Sequence, residues 1–249
     1  MAELERIALE AGAAVMRVYA AAINVDYKTD SSPVTDADRC AEDVILKRLA
    51  EVAPGAPVLS EEASAAGRDF VPGAEFFLVD PLDGTKEFIS RNGEFTVNIA
   101  LVQNGAPVAG VVYAPALERL YLASRALGAW RIDGGGERRP IRARRRPKQG
   151  LVAVASRNHR SPETDEYLKS LDIASFAEAG SSLKFCLIAE GAADVYPRFG
   201  RTMEWDTGAG QAVLEAAGGS VVELPSGAPL AYGKAARGYD NPHFIARGA

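Results

Sequence analysis

Cysteine is scarce in this sequence, and the two cysteines that are present exclude several classes of protein. Cys40 and Cys186 stand far apart and lack the close spacing of a metal-binding or redox pair. Two cysteines are too few for the disulfide framework of a small secreted protein. We therefore expect free thiols in a reducing compartment and no thiol chemistry.

Long hydrophobic runs are absent as well. No stretch approaches the roughly 20 apolar residues that cross a bilayer. The first residues, MAELERIALEAG, are acidic and amphipathic, whereas a secretory signal is basic and then apolar. The sequence therefore predicts a cytoplasmic protein without a transmembrane segment, and it leaves open a peripheral association with the inner membrane.

A large excess of one charge is also missing. The 249 residues carry a net charge of -5 and are 47% hydrophobic, as in an ordinary globular protein, so nothing indicates general nucleic-acid binding. One basic run stands out, RRPIRARRRPK at residues 138–148, and glycines flank it. We interpret this run as a solvated loop; the alternative is a binding module for RNA, an anionic membrane or an acidic partner.

The pattern of the chain changes along its length. Two amphipathic helices are predicted first, from apolar residues at helical spacing: Leu4, Ile7, Ala8, Ala11, Val15 and Val18, then Ala41, Val44, Ile45 and Leu49. Thr35 or Asp36 can cap the second helix, which places Asp38 in its first turn. Residues 57–130 show short β-rich runs that predict a mostly antiparallel sheet.

The second half of the chain alternates helical and strand patterns. We place a boundary near residues 138–150. It separates an N-terminal α+β part, residues 1–140, from a C-terminal α/β part, residues 150–249, which would complete the site. The expected fold class is α/β, with helices layered on sheets.

The segment FFLVDPLDGTKEF, residues 76–88, joins a buried strand to two acids and a glycine. Pro81 removes an N–H group and would end the strand at Asp80, so that Asp80 and Asp83 lie at the carboxyl edge of a sheet, where ligands commonly bind. Gly84 permits close approach to the backbone, and the N–H groups of Gly84 and Thr85 would form an anion site if a helix starts there. Acids beside an anion site indicate cations between them.

Two further acids extend this pattern. Glu61 follows the short strand PVLS, and Asp206 stands where a small-residue helix, residues 206–217, would begin. With Asp80 and Asp83 they carry four negative charges, which two divalent ions would neutralise. By itself DPLDG is equally typical of a β-turn, and Asp206 of a helix N-cap.

Other ligand-binding motifs fit less well. An EF-hand loop counted from Asp80 would have Leu82, Gly84 and Thr85 in the places of two acids and a glycine. GAGQAV, residues 208–213, lacks the third glycine of a dinucleotide-binding loop, and no GxxxxGK[ST] is present. A dinucleotide-dependent dehydrogenase is therefore the weaker enzyme prediction.

Three segments, taken in order, carry a resemblance to a known family: SEE at residues 60–62, DPLDGTKEF at 80–88 and EWDTGAG at 204–210. They resemble the signature elements of the Mg²⁺-dependent phosphatases related to inositol monophosphatase and fructose-1,6-bisphosphatase. KEF at 86–88 and GSSLKFCLIAEGAADVYPRFG at 180–200 are similar to the CysQ-type 3′(2′),5′-bisphosphate nucleotidases of that superfamily. The resemblance implies a layered α-β-α-β-α sandwich.

The resemblance also implies an activity. The expected reaction is hydrolysis of the 3′-phosphate of adenosine 3′,5′-bisphosphate to AMP and phosphate, which recycles a by-product of sulfate assimilation. The alternative is an inositol monophosphatase or other sugar phosphatase on the same metal centre. Two or three Mg²⁺ ions, a small nucleotide substrate, no nucleic-acid polymer and a homodimer belong to the same expectation.

Site residues follow from the resemblance position by position. Asp38 and Thr85 would be hydrogen-bonded to each other and would orient or deprotonate the attacking water. The expected Mg²⁺ ligands are the side chains of Glu61, Asp80, Asp83 and Asp206 and the main-chain carbonyl of Leu82. The expected substrate contacts are Glu61, Leu82, Asp83, Gly84, Thr85, Ser182, Lys184, Arg198 and Asp206, with Ser156, Arg157 and His159 on the nucleotide side. Gly208 replaces the alanine usual in the family, and we expect it to loosen its helix by about 1 kcal/mol at most.

Overall fold

The computed structural model describes residues 1–21, 25–27, 33–155 and 161–249. Ser156, Arg157 and His159, which the sequence places on the nucleotide side, lie outside the described residues. The helices are α1 Ala2–Tyr19, α2 Asp36–Val52, α3 Glu61–Ala65, α4 Thr85–Ile89, α5 Pro162–Lys169, α6 Leu183–Ala189 and α7 Glu204–Ala216. Within these described ranges, no helix is long and apolar enough to span a bilayer.

The strands form two large sheets and one sheet of two short strands. The strands are β1 Val25–Tyr27, β2 Pro33–Thr35, β3 Val58–Ser60, β4 Glu75–Asp83, β5 Thr96–Gln103, β6 Ala106–Ala114, β7 Arg119–Ser124, β8 Gly128–Asp133, β9 Arg139–Pro140, β10 Leu151–Ala155, β11 Ile173–Glu178, β12 Val195–Arg198, β13 Ser220–Glu223 and β14 Phe244–Arg247. The seven strands β3 to β9 pair in chain order, and all pairs are antiparallel except β3 with β4. The second sheet has the order β11-β10-β12-β14-β13. The chain passes from one sheet to the other between Pro140 and Leu151; whether two separate parts meet there stays a prediction.

Three groups of buried side chains arrange these elements in five layers. Apolar residues of α1 and α2, among them Ile7 and Ile45, pack on one face of the first sheet. Helices α6 and α7 fill the space between the two sheets, where Phe185 and Val213 join the largest core cluster. Leu168 of α5 packs on the outer face of the second sheet. The predicted α-β-α-β-α sandwich is confirmed.

Helix α2 begins with a capping box, and the structure decides between the two N-cap candidates, Thr35 and Asp36. Thr35 is the N-cap: its hydroxyl accepts the N–H of Ala37, and the Asp38 carboxylate accepts the N–H of Thr35. This reciprocal pairing satisfies N–H groups that have no partner within the helix. Asp38 therefore has a structural role at the start of α2, whatever else it does.

Helix α7 packs closely against the first sheet. A Cβ atom on Gly208 would lie 2.7 Å from Leu78 Cδ1, and one on Gly110 of β6 would lie 3.0 Å from the Ala209 carbonyl oxygen. Glycine at these two positions lets the helix and the sheet approach each other more closely than alanine allows. Gly208 thus has a packing function beyond the small cost in helix propensity that the sequence suggested.

Candidate metal centre

Strand β4 carries Asp80 and Asp83, and its course differs from the prediction. The strand does not end at Asp80 but continues to Asp83. Asp80 pairs with Asn98 and Asp83 with Thr96, so three steps along β4 oppose two along β5. This irregularity is a β-bulge, a place where a proline such as Pro81 is tolerated within a sheet.

The bulge explains how two acids three residues apart share one site. In a regular strand, side chains three positions apart point to opposite faces. The extra residue in the bulge changes this alternation, and Asp80 and Asp83 line the same cavity. The spacing D-x-x-D therefore requires the bulge in order to present both carboxylates together.

Glu61 reaches the same cavity through the parallel pair of strands. Ser60, the last residue of β3, pairs with Val79, and Glu61 and Asp80 follow these two residues. Since the strands are parallel, Glu61, which follows the end of β3, reaches the same level of the sheet as Asp80, which lies within β4. The one parallel pair among the described strands of this sheet, β3 with β4, thus brings together two of the predicted ligands, Glu61 and Asp80.

Asp206 enters from the layer between the sheets. Helix α7 begins at Glu204 rather than at Asp206, so Asp206 lies in the first turn and accepts the N–H of Met203 at 2.8 Å. Asn241 holds the same turn, because its amide donates to the Met203 carbonyl at 2.7 Å. The prediction that Asp206 starts the helix was wrong by two residues. Asp206 is the third residue of α7, and its carboxylate accepts a hydrogen bond from the backbone of the N-cap residue Met203.

The four predicted acidic ligands line one cavity of about 260 Å³. Burial raises the pKa of Asp80 well above its ordinary value, and Glu61, Asp83 and Asp206 raise it further. Burial, followed by Asp83 and Glu61, raises the pKa of Asp206 to about 8. For Asp83, burial also raises the pKa, although Lys184 and a hydrogen bond from Ser182 oppose the increase. The acids therefore repel one another, and their ionisation requires additional positive charge.

The chemistry of these residues fits hard divalent cations. Carboxylate and carbonyl oxygens are the ligands that Mg²⁺ prefers. Three buried polar atoms at neighbouring positions have no hydrogen-bond partner in the described chain: Ser60 Oγ, Thr96 Oγ1 and Asn98 Oδ1. Within that same part of the chain, no three acidic, histidine or cysteine side chains already form a closed metal-binding group.

Thr85 and Asp38 do not form the hydrogen bond expected between them. The Thr85 hydroxyl donates to the Leu82 carbonyl at 3.5 Å, whereas one oxygen of Asp38 accepts both the N–H and the hydroxyl of Thr35 at 2.7 Å. Asp38 is only 1% exposed, and burial raises its pKa to about 7 against these two hydrogen bonds. Thr85 lines the cavity, whereas Asp38 does not.

Two buried cations line the cavity with the acids. Lys184 and Arg198 are 8% and 9% exposed. Burial lowers the pKa of Lys184, and the charge of Asp83 opposes this effect. Arg198 donates to the Arg201 carbonyl, and its buried Nε has no partner in the described chain. The cavity thus places fixed positive charges near the predicted metal ligands.

The loop before α6 contributes a residue that the sequence analysis missed. Ser181 lines the cavity, whereas Ser182, the predicted substrate contact, is 1% exposed and does not line it. A Cβ atom on Gly84, which has φ +91°, would lie 2.2 Å from Ser181 Oγ, so this turn requires glycine. Asn98 was also missed, although a polar residue inside the apolar run TVNIALV was a signal for it.

Comparison with known proteins places the chain in a family. The sequence pattern of the inositol monophosphatase family matches residues 1–243. The chain is 50% identical over 219 residues to the 3′(2′),5′-bisphosphate nucleotidase CysQ of Salmonella typhimurium, covering 87% of each protein. It is 47% identical over 230 residues to CysQ of Escherichia coli strain K12, covering 91% of each.

A solved structure gives the same result for the fold. The crystal structure of CysQ from Bacteroides thetaiotaomicron, a bacterial member of the inositol monophosphatase family, matches with a TM-score of 0.83 and 41% sequence identity. The match covers 99% of this chain and 96% of that one. Together with the layered fold and the cavity of acids, these similarities show that the chain belongs to the inositol monophosphatase family.

Proposed function

We propose that this protein is a divalent-metal-dependent phosphatase that removes the 3′-phosphate from adenosine 3′,5′-bisphosphate, leaving AMP and phosphate. The relatives from Salmonella typhimurium and Escherichia coli bear the name 3′(2′),5′-bisphosphate nucleotidase. The observation that carries the proposal is the single cavity in which Asp80, Asp83 and Asp206 face the buried cations Lys184 and Arg198. Acids on one side suit a metal-held phosphate, and fixed cations suit a second anionic group.

The acids would hold the metal. Glu61, Asp80, Asp83, Asp206 and the Leu82 carbonyl are the proposed ligands, and Mg²⁺ is the proposed ion, in two or three copies. When bound, such ions neutralise the phosphate and make water a better nucleophile. The β-bulge and the first turn of α7 fix where the carboxylates stand before any ligand arrives.

The remaining residues would position the substrate. Lys184 and Arg198 would bind the second phosphate of the nucleotide, since both charged groups are shielded from solvent and interact more strongly there than in water. The Gly84 and Thr85 N–H groups at the start of α4 would hold the phosphate that is cleaved.

Thr85 and Asp38 would orient and accept the proton of the attacking water. Thr85 lines the cavity, and the carboxyl of Asp38 has a pKa of about 7, close to the value that suits a proton acceptor at neutral pH. Since the two side chains are not hydrogen-bonded to each other here, their cooperation would need the hydroxyl of Thr85 to turn from the Leu82 carbonyl.

Parallel phosphate-release assays test the proposal. Adenosine 3′,5′-bisphosphate, inositol 1-phosphate and fructose 1,6-bisphosphate are each supplied with Mg²⁺ and, separately, with EDTA. We expect the bisphosphate nucleotide to be hydrolysed fastest and EDTA to abolish the activity. A preference for the inositol or sugar phosphate would retain the metal centre and reject the substrate, whereas activity in EDTA would reject the metal.

Two finer points rest on the resemblance and have simple tests. Titration calorimetry with Mg²⁺ gives the number of bound ions, for which we expect two or three. Light scattering in solution gives the molar mass, for which we expect twice the 26.4 kDa of the chain if it forms the proposed homodimer.

A further inference from the structure

Asn98 is the third residue of β5, directly opposite Asp80. It is fully buried, and its side-chain amide donates to Asp83 Oδ2 at 3.3 Å and to Ser182 Oγ at 3.0 Å. The amide nitrogen must face these two oxygens, because the carbonyl oxygen in its place would face a carboxylate. Asn98 therefore joins the bulged strand to the loop before α6.

Ser182 continues the connection to α7. Its hydroxyl oxygen lies 2.8 Å from the Asp206 carbonyl oxygen and 3.1 Å from Asp83 Oδ2. The hydroxyl accepts from Asn98, so its single proton is left to donate to one of these two acceptors. The Ser182 hydroxyl thus contacts two proposed metal ligands: the side chain of Asp83 and the main-chain carbonyl of Asp206.

These contacts leave Ser182 poorly placed to bind substrate. It is 1% exposed and does not line the cavity, whereas the adjacent Ser181 does. Ser181 is itself fixed elsewhere, because its hydroxyl is within 2.7 Å of the Asp83 carbonyl and 2.9 Å of the Glu94 carbonyl. The two serines therefore have different surroundings, and Ser182 belongs to the scaffold of the acids.

We propose that Ser182 and Asn98 are positioning residues that hold Asp83 and Asp206 for divalent-cation binding. The two ligands come from different layers, β4 of the first sheet and α7 between the sheets, and share no direct hydrogen bond in the described chain. The Asn98–Ser182 pair is the hydrogen-bonded connection between them. This inference rests on the proposed function only for the identity of the metal ligands.

The test measures metal binding directly. Titration calorimetry with Mn²⁺ or Mg²⁺, without substrate, is carried out on the wild type, Ser182→Ala and Asn98→Ala. We expect each variant to raise the metal Kd about 10- to 100-fold, the usual effect of removing a residue that orients a ligand. The metal concentration for half-maximal activity should rise by the same factor, while KM for the nucleotide at saturating metal stays unchanged.

A matched control separates positioning from general loss of stability. Thr164→Ala removes a buried hydroxyl from α5, in the outer layer, where its side chain contacts Ser161. The control should leave the metal Kd unchanged. Ser182→Thr, which keeps the hydroxyl, should recover metal affinity relative to Ser182→Ala.

Two outcomes would contradict the inference. An unchanged metal Kd together with a higher KM in Ser182→Ala would make Ser182 a substrate contact. Equal metal Kd values in all variants would reduce the pair to a structural role. If the wild type binds the metal but does not hydrolyse the nucleotide, the proposed function fails and the comparison of Kd values still decides this inference.

Discussion

Single residues in the cavity combine burial with unneutralised charge. Asp80 is 1% exposed, and four other acids are among the groups that raise its pKa. A buried carboxylate without a paired cation is strongly disfavoured, and a protein that contains several such groups is less stable than it could be. The excess charge is thus evidence for a ligand that restores the balance.

Replacing Asp80 by asparagine should therefore separate stability from activity. Asp80→Asn keeps an oxygen that can accept the Leu82 N–H at 3.0 Å, and it removes one of the repelling charges. In EDTA at neutral pH we expect the free energy of unfolding to rise, because the neutral amide avoids the burial penalty and the repulsion from neighbouring acids that raise the pKa of Asp80. Thermal melts in EDTA and in Mg²⁺ measure this change in stability. The activity with Mg²⁺ should fall at least about 100-fold, because one interaction of about 2.7 kcal/mol or more with the metal is lost. A less stable variant in EDTA would show that Asp80 is not repelled by its neighbours.

Replacing Asp38 by asparagine should separate its role in capping α2 from its proposed role in accepting a proton. Asp38→Asn can still accept hydrogen bonds from Thr35, so the cap of α2 and the melting temperature should change little. We expect kcat to fall about 10²-fold or more if the carboxylate accepts a proton, which is the range for general-base catalysis. Steady-state kinetics and thermal melts check both expectations.

Thr35→Ala is the matched control for this variant. It removes the capping hydroxyl and should cost about 0.5–2 kcal/mol of stability while the Asp38 carboxylate remains. An Asp38→Asn enzyme with unchanged kcat would leave Asp38 as a helix cap alone.

Whole elements bring the residues together through close packing. Helix α7 has glycine and alanine on the sides that face the first sheet and α6. A Cβ atom on Gly210 would lie 2.5 Å from Phe185 Cδ2 and 2.7 Å from Phe185 Cγ. Since Phe185 is only 2% exposed and packs in the largest core cluster, its ring cannot move aside easily.

Gly210→Ala should destabilise the protein although alanine favours helices. Overpacking in a core costs about 1–3 kcal/mol, which exceeds the gain of about 1 kcal/mol in helix propensity at most positions of this kind. Urea unfolding measures the difference. In a Phe185→Leu background the ring is absent, and the same substitution should cost less; an equal cost in both backgrounds would rule out the ring as the cause.

At the scale of the whole molecule, the basic run connects the two sheets. The Ile141 N–H donates to the Ala129 carbonyl of β8, the Ala143 N–H donates to the Ala217 carbonyl after α7, and Arg144 makes two hydrogen bonds of 2.6 and 2.7 Å to Asp194. The segment therefore crosses the layers in contact with them. Its expected character as a solvated loop holds for the exposed Arg145, whereas Arg144 is a structural anchor.

Arg144→Gln should lower stability without affecting the chemistry. Burial raises the pKa of Asp194, but hydrogen bonds from Arg144 and the Val152 N–H outweigh burial and hold the pKa below its usual range. Asp194 loses its charged partner, which costs about 1–3 kcal/mol for a pair of which one member is partly exposed. Arg145→Gln is the control and should change neither the melting temperature nor kcat.

The pH dependence of this pair has a definite sign. A depressed carboxyl pKa contributes stability above the unfolded value, about 3.9, and this contribution is lost as pH falls through the lower folded value. The difference between wild type and Arg144→Gln should therefore be full near pH 7 and shrink below about pH 4. A difference that is constant down to pH 3 would exclude the charge of Asp194 as its source.

The sequence by itself determined the local elements and the chemistry of the site. Apolar spacing was sufficient for α1 and α2, because these signals depend on neighbours along the chain. Strand β4 was ended too early at Pro81, because sheet pairing with distant residues decides where a strand continues.

Only the tertiary structure decided how the site is assembled. The bulge that aligns Asp80 with Asp83 exists because β4 pairs with β5, and no local signal encodes its register. The same holds for Ser182. The motif GSSLKF indicated that it contacts substrate, whereas in the fold it is buried against Asp83 and Asp206. Residue types set which chemistry is available, and long-range packing determines which atoms face the cavity.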